Sequence, residues 1–243
     1  MAYKKGTEES NLFFKYCMSF VFLYGRIPVK EAFDIIQYQN DAQFSLSSFL
    51  DFLKNTEKDR QKHYMHTNTF FVLFSPNGSS DPYEMELVND CYEYACHDYQ
   101  NKNNPYRILV DKQKGRLLYM PPKEDLLKYA DDTYNEITPE MKRIADWVLK
   151  NKCKLPFRLT RQDIYSEVCL PLKMDSDYFD AFESLMKWID LPDDEDIMMD
   201  LLSELFGLIV EAYNNTRTWY LRGHTPYEMR EIIYNTDNPT LIS

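Results

Sequence analysis

The side chains in this chain best suited to chemistry are a few imidazoles and thiols. His63 and His66 are three residues apart, and Cys91, Cys96 and His97 come later in the chain. Zinc requires three or four such ligands converging as a tetrahedron. Cys91 and Cys96, five residues apart, point about 140° away from each other on a helix. His63 and His66 fall on opposite faces of a regular strand. These spacings diverge, so no residue is assigned to a metal. Nucleophilic catalysis fares no better. No G-x-S-x-G elbow occurs, and the neighbours Cys96 and His97 cannot readily be turned toward one another on a helix. Six glycines leave no phosphate-cradling fingerprint, and 39 carboxylates without a cleft do not make an acid–base pair. No catalytic residue, cofactor-binding residue or cofactor is expected, and enzymatic activity is disfavoured.

Two further sets could bind rather than react. The most distinctive segment runs from Tyr213 to Met229, where Arg217, Trp219, Arg222 and His224 crowd a short linker between two helices. Such residues favour a partner-binding surface through cation–π and hydrogen-bonding contacts. The competing reading is a corner, with Arg217 at a helix C-terminus, Trp219 packed and Gly223 turning the chain; the corner is favoured. The second set is Ser47, Lys54, Lys58, Arg60 and Lys62, placed for nucleic-acid contact if the first third of the chain is a winged helix. Asp51, Glu57 and Asp59 lie among them, which weakens the basic face that such domains carry.

The elements that must position these residues follow from periodicity and caps. Residues 1–10 read as a loose tail, and Leu12–Tyr24 is apolar nearly all round, so it should be a buried helix closed by Gly25. Pro28 opens a second helix with Val29, Ala32, Phe33, Ile35 and Ile36 inward. Ser45 caps a third, whose apolar face is Leu46, Phe49, Leu50 and Leu53. A polar turn over Asn55–Lys62 leads to an extended ribbon over His63–Ser75, rich in Tyr, Thr, Phe and Val. A helix is expected over Pro82–Tyr99, with Met85, Val88, Tyr92 and Ala95 on one face. A β-hairpin is expected from Tyr106–Val110 and Arg116–Met120 around Gly115. Pro121-Pro122 makes the domain boundary. Beyond it the pattern is helical over Lys123–Tyr134, Pro139–Asn151, Arg161–Leu170, Ser176–Ile189, Glu195–Tyr213 and Pro226–Tyr234. Thr138-Pro139 and Thr225-Pro226 are cap-and-N1 pairs, and Glu228 completes a capping box with Thr225.

Composition bounds the class. The chain has 243 residues, 44% hydrophobic and 28% charged, values of a folded protein. Residues 1–80 carry nine Lys/Arg against eight Asp/Glu; the rest carry nineteen against thirty-one. An acidic surface of that size repels phosphate backbones and anionic membranes, so any nucleic-acid role falls to the first third. The apolar run at Leu12 is interrupted by Lys15 and is shorter than the ~20 residues of a bilayer crossing. Arg26-Ile27-Pro28 follows it where a signal peptide would have small residues. Five scattered cysteines suit free thiols in a reducing cytoplasm.

Tyr24-Gly25-Arg26-Ile27-Pro28, the Tyr129–Tyr134 region and the Asn-Thr-Arg…Gly-x-Thr-Pro-x-Glu element of residues 214–229 resemble bacterial proteins, chiefly of Firmicutes. Some of these proteins continue into a SecA-type C-terminal zinc motif. That cysteine-rich motif has no counterpart in this sequence, so its zinc site is not carried over. The group implies no activity that can be transferred. Residues 213–229 are also similar to the tail of integrase-type transposases. That fold needs a mixed sheet bearing metal-binding carboxylates, which the preceding helical patterns do not supply, and capping chemistry accounts for the likeness.

The expected fold is mainly α: a winged-helix-like N-terminal region with a small β-hairpin element over residues 1–121, then an acidic helical bundle over 122–243. The expected function is a non-catalytic intracellular protein-interaction or regulatory module, its partner another protein or a second copy. A DNA-binding winged-helix regulator is the alternative, and a metal-dependent enzyme the third reading.

Overall fold

The computed structural model describes residues 6–62, 70–151, 158–174 and 178–237. They are mainly helical, with one three-stranded antiparallel sheet. Contacts divide the chain into two compact units: Met1–Gly115 with Tyr119–Tyr134, and Arg116–Leu118 with Asn135–Ser243. The division thus falls after Tyr134, beyond the expected boundary at Pro121-Pro122. Among the described residues, no helix is long and apolar enough to cross a membrane.

In the first unit, helix α1 (Glu8–Tyr24) starts inside the expected loose tail because Thr7 caps it, its Oγ1 accepting the Ser10 N–H at 3.1 Å. Phe13, Tyr16, Cys17, Phe20, Val21 and Tyr24 form one buried stripe, and Met18, Ser19 and Leu23 are buried outside it. Gly25, at φ 72°, ends it by donating its N–H to Val21 O at 3.0 Å. Strand β1 (Arg26–Pro28) follows, then α2 (Val29–Gln39), whose five expected inward residues are all buried. In α3 (Leu46–Lys62) the Ser45 cap accepts the Ser48 N–H at 3.1 Å. Its buried face is Phe49, Phe52 and Leu53, with the Phe49 ring edge-on to Phe13 and stacked on Phe33. Strands β2 (Phe71–Phe74) and β3 (Glu86–Asn89) complete a sheet of order β1-β3-β2, with Ile27 opposite Leu87 and Val72 opposite Val88.

Three local expectations are corrected. Asn55–Lys62 is not a turn but the last part of α3; Asn55 donates to Asp51 O at 2.7 Å, and Arg60 pairs back to Glu57 at 3.0 Å. Pro82–Tyr99 is not one helix. It is broken into a 3₁₀ turn (Pro82–Glu84), β3, a second 3₁₀ turn (Asp90–Tyr92) and helix α4 (Glu93–His97). Leu87 and Val88 are both fully buried, one toward each face of the strand, an arrangement that pairing with β1 and β2 permits and a one-faced surface helix does not. The expected hairpin at Tyr106–Met120 is also absent. Its first half is helix α5 (Pro105–Gln113), with Pro105 at the first turn and Asn104 Oδ1 accepting the Arg107 N–H at 3.0 Å. Gly115, at φ 74°, turns the chain after this helix rather than within a hairpin. Helix α6 (Lys123–Leu126) and the 3₁₀ turn Leu127–Ala130 then pack on α1, so this segment belongs with the first unit.

The second unit is a helical bundle of α7 (Pro139–Asn151), α8 (Arg161–Met174), α9 (Phe179–Met186), α10 (Glu195–Asn215) and α11 (Pro226–Asp237). Thr138 caps α7 by accepting the Met141 N–H at 3.2 Å. Ile144, Trp147 and Val148 of α7 share a core with Ile164, Val168 and Leu172 of α8 and with Leu205, Ile209 and Ala212 of α10.

The broken Pro82–Tyr99 segment yields the first prediction. Leu87→Ala, at a fully buried strand position, should lower unfolding free energy by about 2–5 kcal/mol in urea titrations. Tyr94→Ala, at a side chain 81% exposed, should change it by less than about 0.5 kcal/mol. Comparable small effects at both sites would mean that Leu87 faces solvent.

Candidate functional site

The Tyr213–Met229 segment is a closed corner in the second unit. It begins where α10 ends: Thr216 donates its N–H to Tyr213 O at 3.1 Å and its hydroxyl to Ala212 O at 2.7 Å. The backbone N–H of Trp219 donates to Lys173 O on α8 at 2.9 Å, and the indole is fully buried. The chain then doubles back. Thr218 and His224 pair through Thr218 N–H to His224 O at 3.1 Å, and Gly223 N–H returns to Thr218 O at 3.0 Å. Arg222 and Gly223 take the left-handed conformation, at φ 53° and 83°, that the reversal requires. The capping box opens α11 beyond it, with Glu228 N–H to Thr225 Oγ1 and Thr225 N–H to Glu228 Oε2, both at 3.0 Å.

Arg217 closes the corner. One guanidinium nitrogen reaches Gly223 O at 3.1 Å and both oxygens of Glu228 at 3.1 and 2.8 Å; its Nε lies 3.2 Å from Glu136. Its side chain is only 13% exposed, so these charge-assisted bonds form in a partly dry setting. Backbone hydrogen bonding from Thr225 and the Arg217 charge overcome the cost of burial and hold the Glu228 carboxyl below its ordinary range. Burial lowers His224, whose Nδ1 lies 3.5 Å from Glu228; the Glu228 charge opposes that shift. Lys173 is also buried, and desolvation lowers it against the opposing charge of Glu136.

Arg217, Trp219 and His224 therefore present little or no surface to a partner. Arg222 is half-buried and donates to Arg116 O at 3.1 Å. The four expected partner-binding residues build the corner. The sequence pointed to Glu228 as a cap but not as the counter-ion of Arg217. Glu136 and Lys173 were missed altogether, the only available signal being a lone lysine at the end of an apolar run.

The nucleic-acid set is divided. Ser47, Lys54 and Lys58 are exposed on α3. Arg60 is not presented outward: it is ion-paired to Glu57 at 3.0 Å and to Glu93 of α4 at 2.8 Å, its side chain 11% exposed. Lys62 is the last residue of α3, and its side chain lies outside the described residues. The metal set does not gather either. His63 and His66 lie outside the described residues, and among those described no three His, Cys, Asp or Glu side chains are placed to hold a metal. Cys17, Cys91, Cys96 and Cys169 are unbridged. Burial pushes the thiols of Cys91 and Cys96 up to about 12 and that of Cys169 to about 11, opposite to the activation a nucleophile needs. Comparison with protein families, curated proteins and solved structures found no match to the chain.

The corner makes two predictions. Arg217→Ala leaves Glu228, Glu136 and Gly223 O without their shared donor and should cost about 2–3 kcal/mol of stability. Arg217→Lys should recover only part of it, because an ammonium cannot reproduce the guanidinium fork; full recovery in thermal melts would show that point charge alone matters. For pH, the sign follows from His224 binding its proton less readily in the folded chain than at its ordinary 6.5. The unfolded chain then takes up more protons as pH falls, so the contribution present above about 6.5 is lost below it. Glu228, held low, adds a loss at more acid pH as it protonates. The melting temperature should be level from pH 8 to 7 and decline below about 6.5. His224→Gln should flatten the upper part of that decline.

Proposed function

We propose that this protein is a non-catalytic interaction or regulatory module of the cytoplasm, whose first unit is a winged-helix domain used to dock another protein. The layout of that unit supports the reading: three helices, a short strand after the first, and a closing pair of strands, with sheet order β1-β3-β2. The observation that carries docking over DNA reading is Arg60. It is the one arginine of α3, the helix that would enter the major groove, and its charge is spent on Glu57 and Glu93 within the unit. The raised thiols of the four described cysteines weigh against nucleophilic chemistry.

DNA binding is the second reading because Lys54 and Lys58, one helical turn apart, are both exposed on α3. Titration of a mixed-sequence duplex at low and at moderate salt separates the two. The docking reading expects no binding even at low salt, where non-specific attraction to phosphate is strongest. Binding that weakens steeply with salt and disappears in Lys54→Glu/Lys58→Glu would replace it with the DNA reading.

A further inference from the structure

In the second unit, α10 builds its core with only part of its apolar stripe. Leu205 and Ile209 are fully buried, but the same four-residue row continues backward through half-buried Leu201 to Ile197, which is 54% exposed. Leu201 still packs against the edge of that core, so the stripe runs on past it for one turn, to Ile197. Beside it runs a second four-residue row, Asp196, Asp200 and Glu204, each exposed and, among the described residues, without an ion pair. The helix dipole accounts for Asp196 in the first turn, and Asp194 caps the helix through the N–H groups of Asp196 and Ile197. Neither explanation reaches Asp200 and Glu204, which lie beyond the first turn. The whole 21-residue helix holds five carboxylates and no lysine or arginine.

We propose that this edge of α10 docks a basic amphipathic helix from another protein. Its apolar residues, at three- and four-residue spacing, would cover Ile197 and Leu201, and its Lys or Arg side chains would meet Asp196, Asp200 and Glu204. Charge decides the occupant. A second copy offering its own α10 would set two acidic rows against each other, and anionic lipid or nucleic acid would be repelled. This surface is separate from α3, so the proposal stands independently of the docking role assigned to the first unit.

The test uses the full chain and a fluorescein-labelled amphipathic Lys/Leu peptide of about 18 residues, with a scrambled peptide of the same composition as control. The expected result is micromolar binding, with the peptide becoming helical, at least about tenfold tighter than the scrambled control and weakened by salt. Asp196→Asn/Asp200→Asn/Glu204→Gln and, separately, Ile197→Gln should each reduce affinity about tenfold or more while leaving the melting curve in place, since these side chains are exposed. Lys54→Glu/Lys58→Glu on α3 should leave it unchanged. Absence of binding, equal binding of the scrambled peptide, or affinity undiminished in the α10 variants would overturn the proposal. So would sedimentation showing a dimer that Ile197→Gln dissolves, because the face would then belong to a second copy.

Discussion

The first unit depends on one constraint: a helix whose second half is apolar on every side must be covered there on every side. Glu8, Asn11 and Lys15 keep one side of the first half of α1 in water, but from Tyr16 to Tyr24 no residue is exposed, and α2, α3, all three strands and the turn at Leu127–Ala130 are gathered around the helix. At roughly 1.5–3 kcal/mol for each large side chain removed from water, its buried aromatic and aliphatic residues are the main source of stability in that unit. The strands are short because each has only to close one side of this helix. β3 sits centrally and needs apolar residues in succession, which explains why Leu87 and Val88 are adjacent and both buried.

Several polar groups in the interior are tied together in sets. Arg26 pairs with Glu86 at 3.0 Å, and the buried Tyr106 hydroxyl donates to the same carboxylate, linking β1, β3 and α5. Around α1, Tyr16 donates to Gln39, Asn40 donates to Tyr16, and Lys123 donates to Asn40. The Arg217 corner is the counterpart in the second unit. A buried charge left unpaired is costly, so each set also fixes the geometry of the elements it joins.

Helices with their own start signals were legible in the sequence. Thr138-Pro139 and Thr225-Pro226 place the first turns of α7 and α11, and the apolar pairs from Ile197 to Val210 outline α10. The corner at Arg217 was legible too, as a choice between a packed turn and a recognition surface. What could not be read was the partner of each polar group. Nothing local joins Arg217 to Glu136, or Arg60 to Glu93, because those pairs are made by segments that meet only after packing. The hairpin around Gly115 failed for a different reason: a left-handed glycine serves a hairpin turn and a helix end equally, and the Asn104-Pro105 cap upstream decided between them.

Taken alone, the sequence determined the mainly helical class, most helix starts and the acidic character of the C-terminal half, because propensity, capping and net charge act over a few residues or over the whole composition. Tertiary structure decided that Glu86–Asn89 is a strand, where the chain divides, and that Arg217, Trp219 and His224 face inward. Strand pairing and ion pairing are long-range: their free energy exists only when distant segments are brought together, and no local pattern records it.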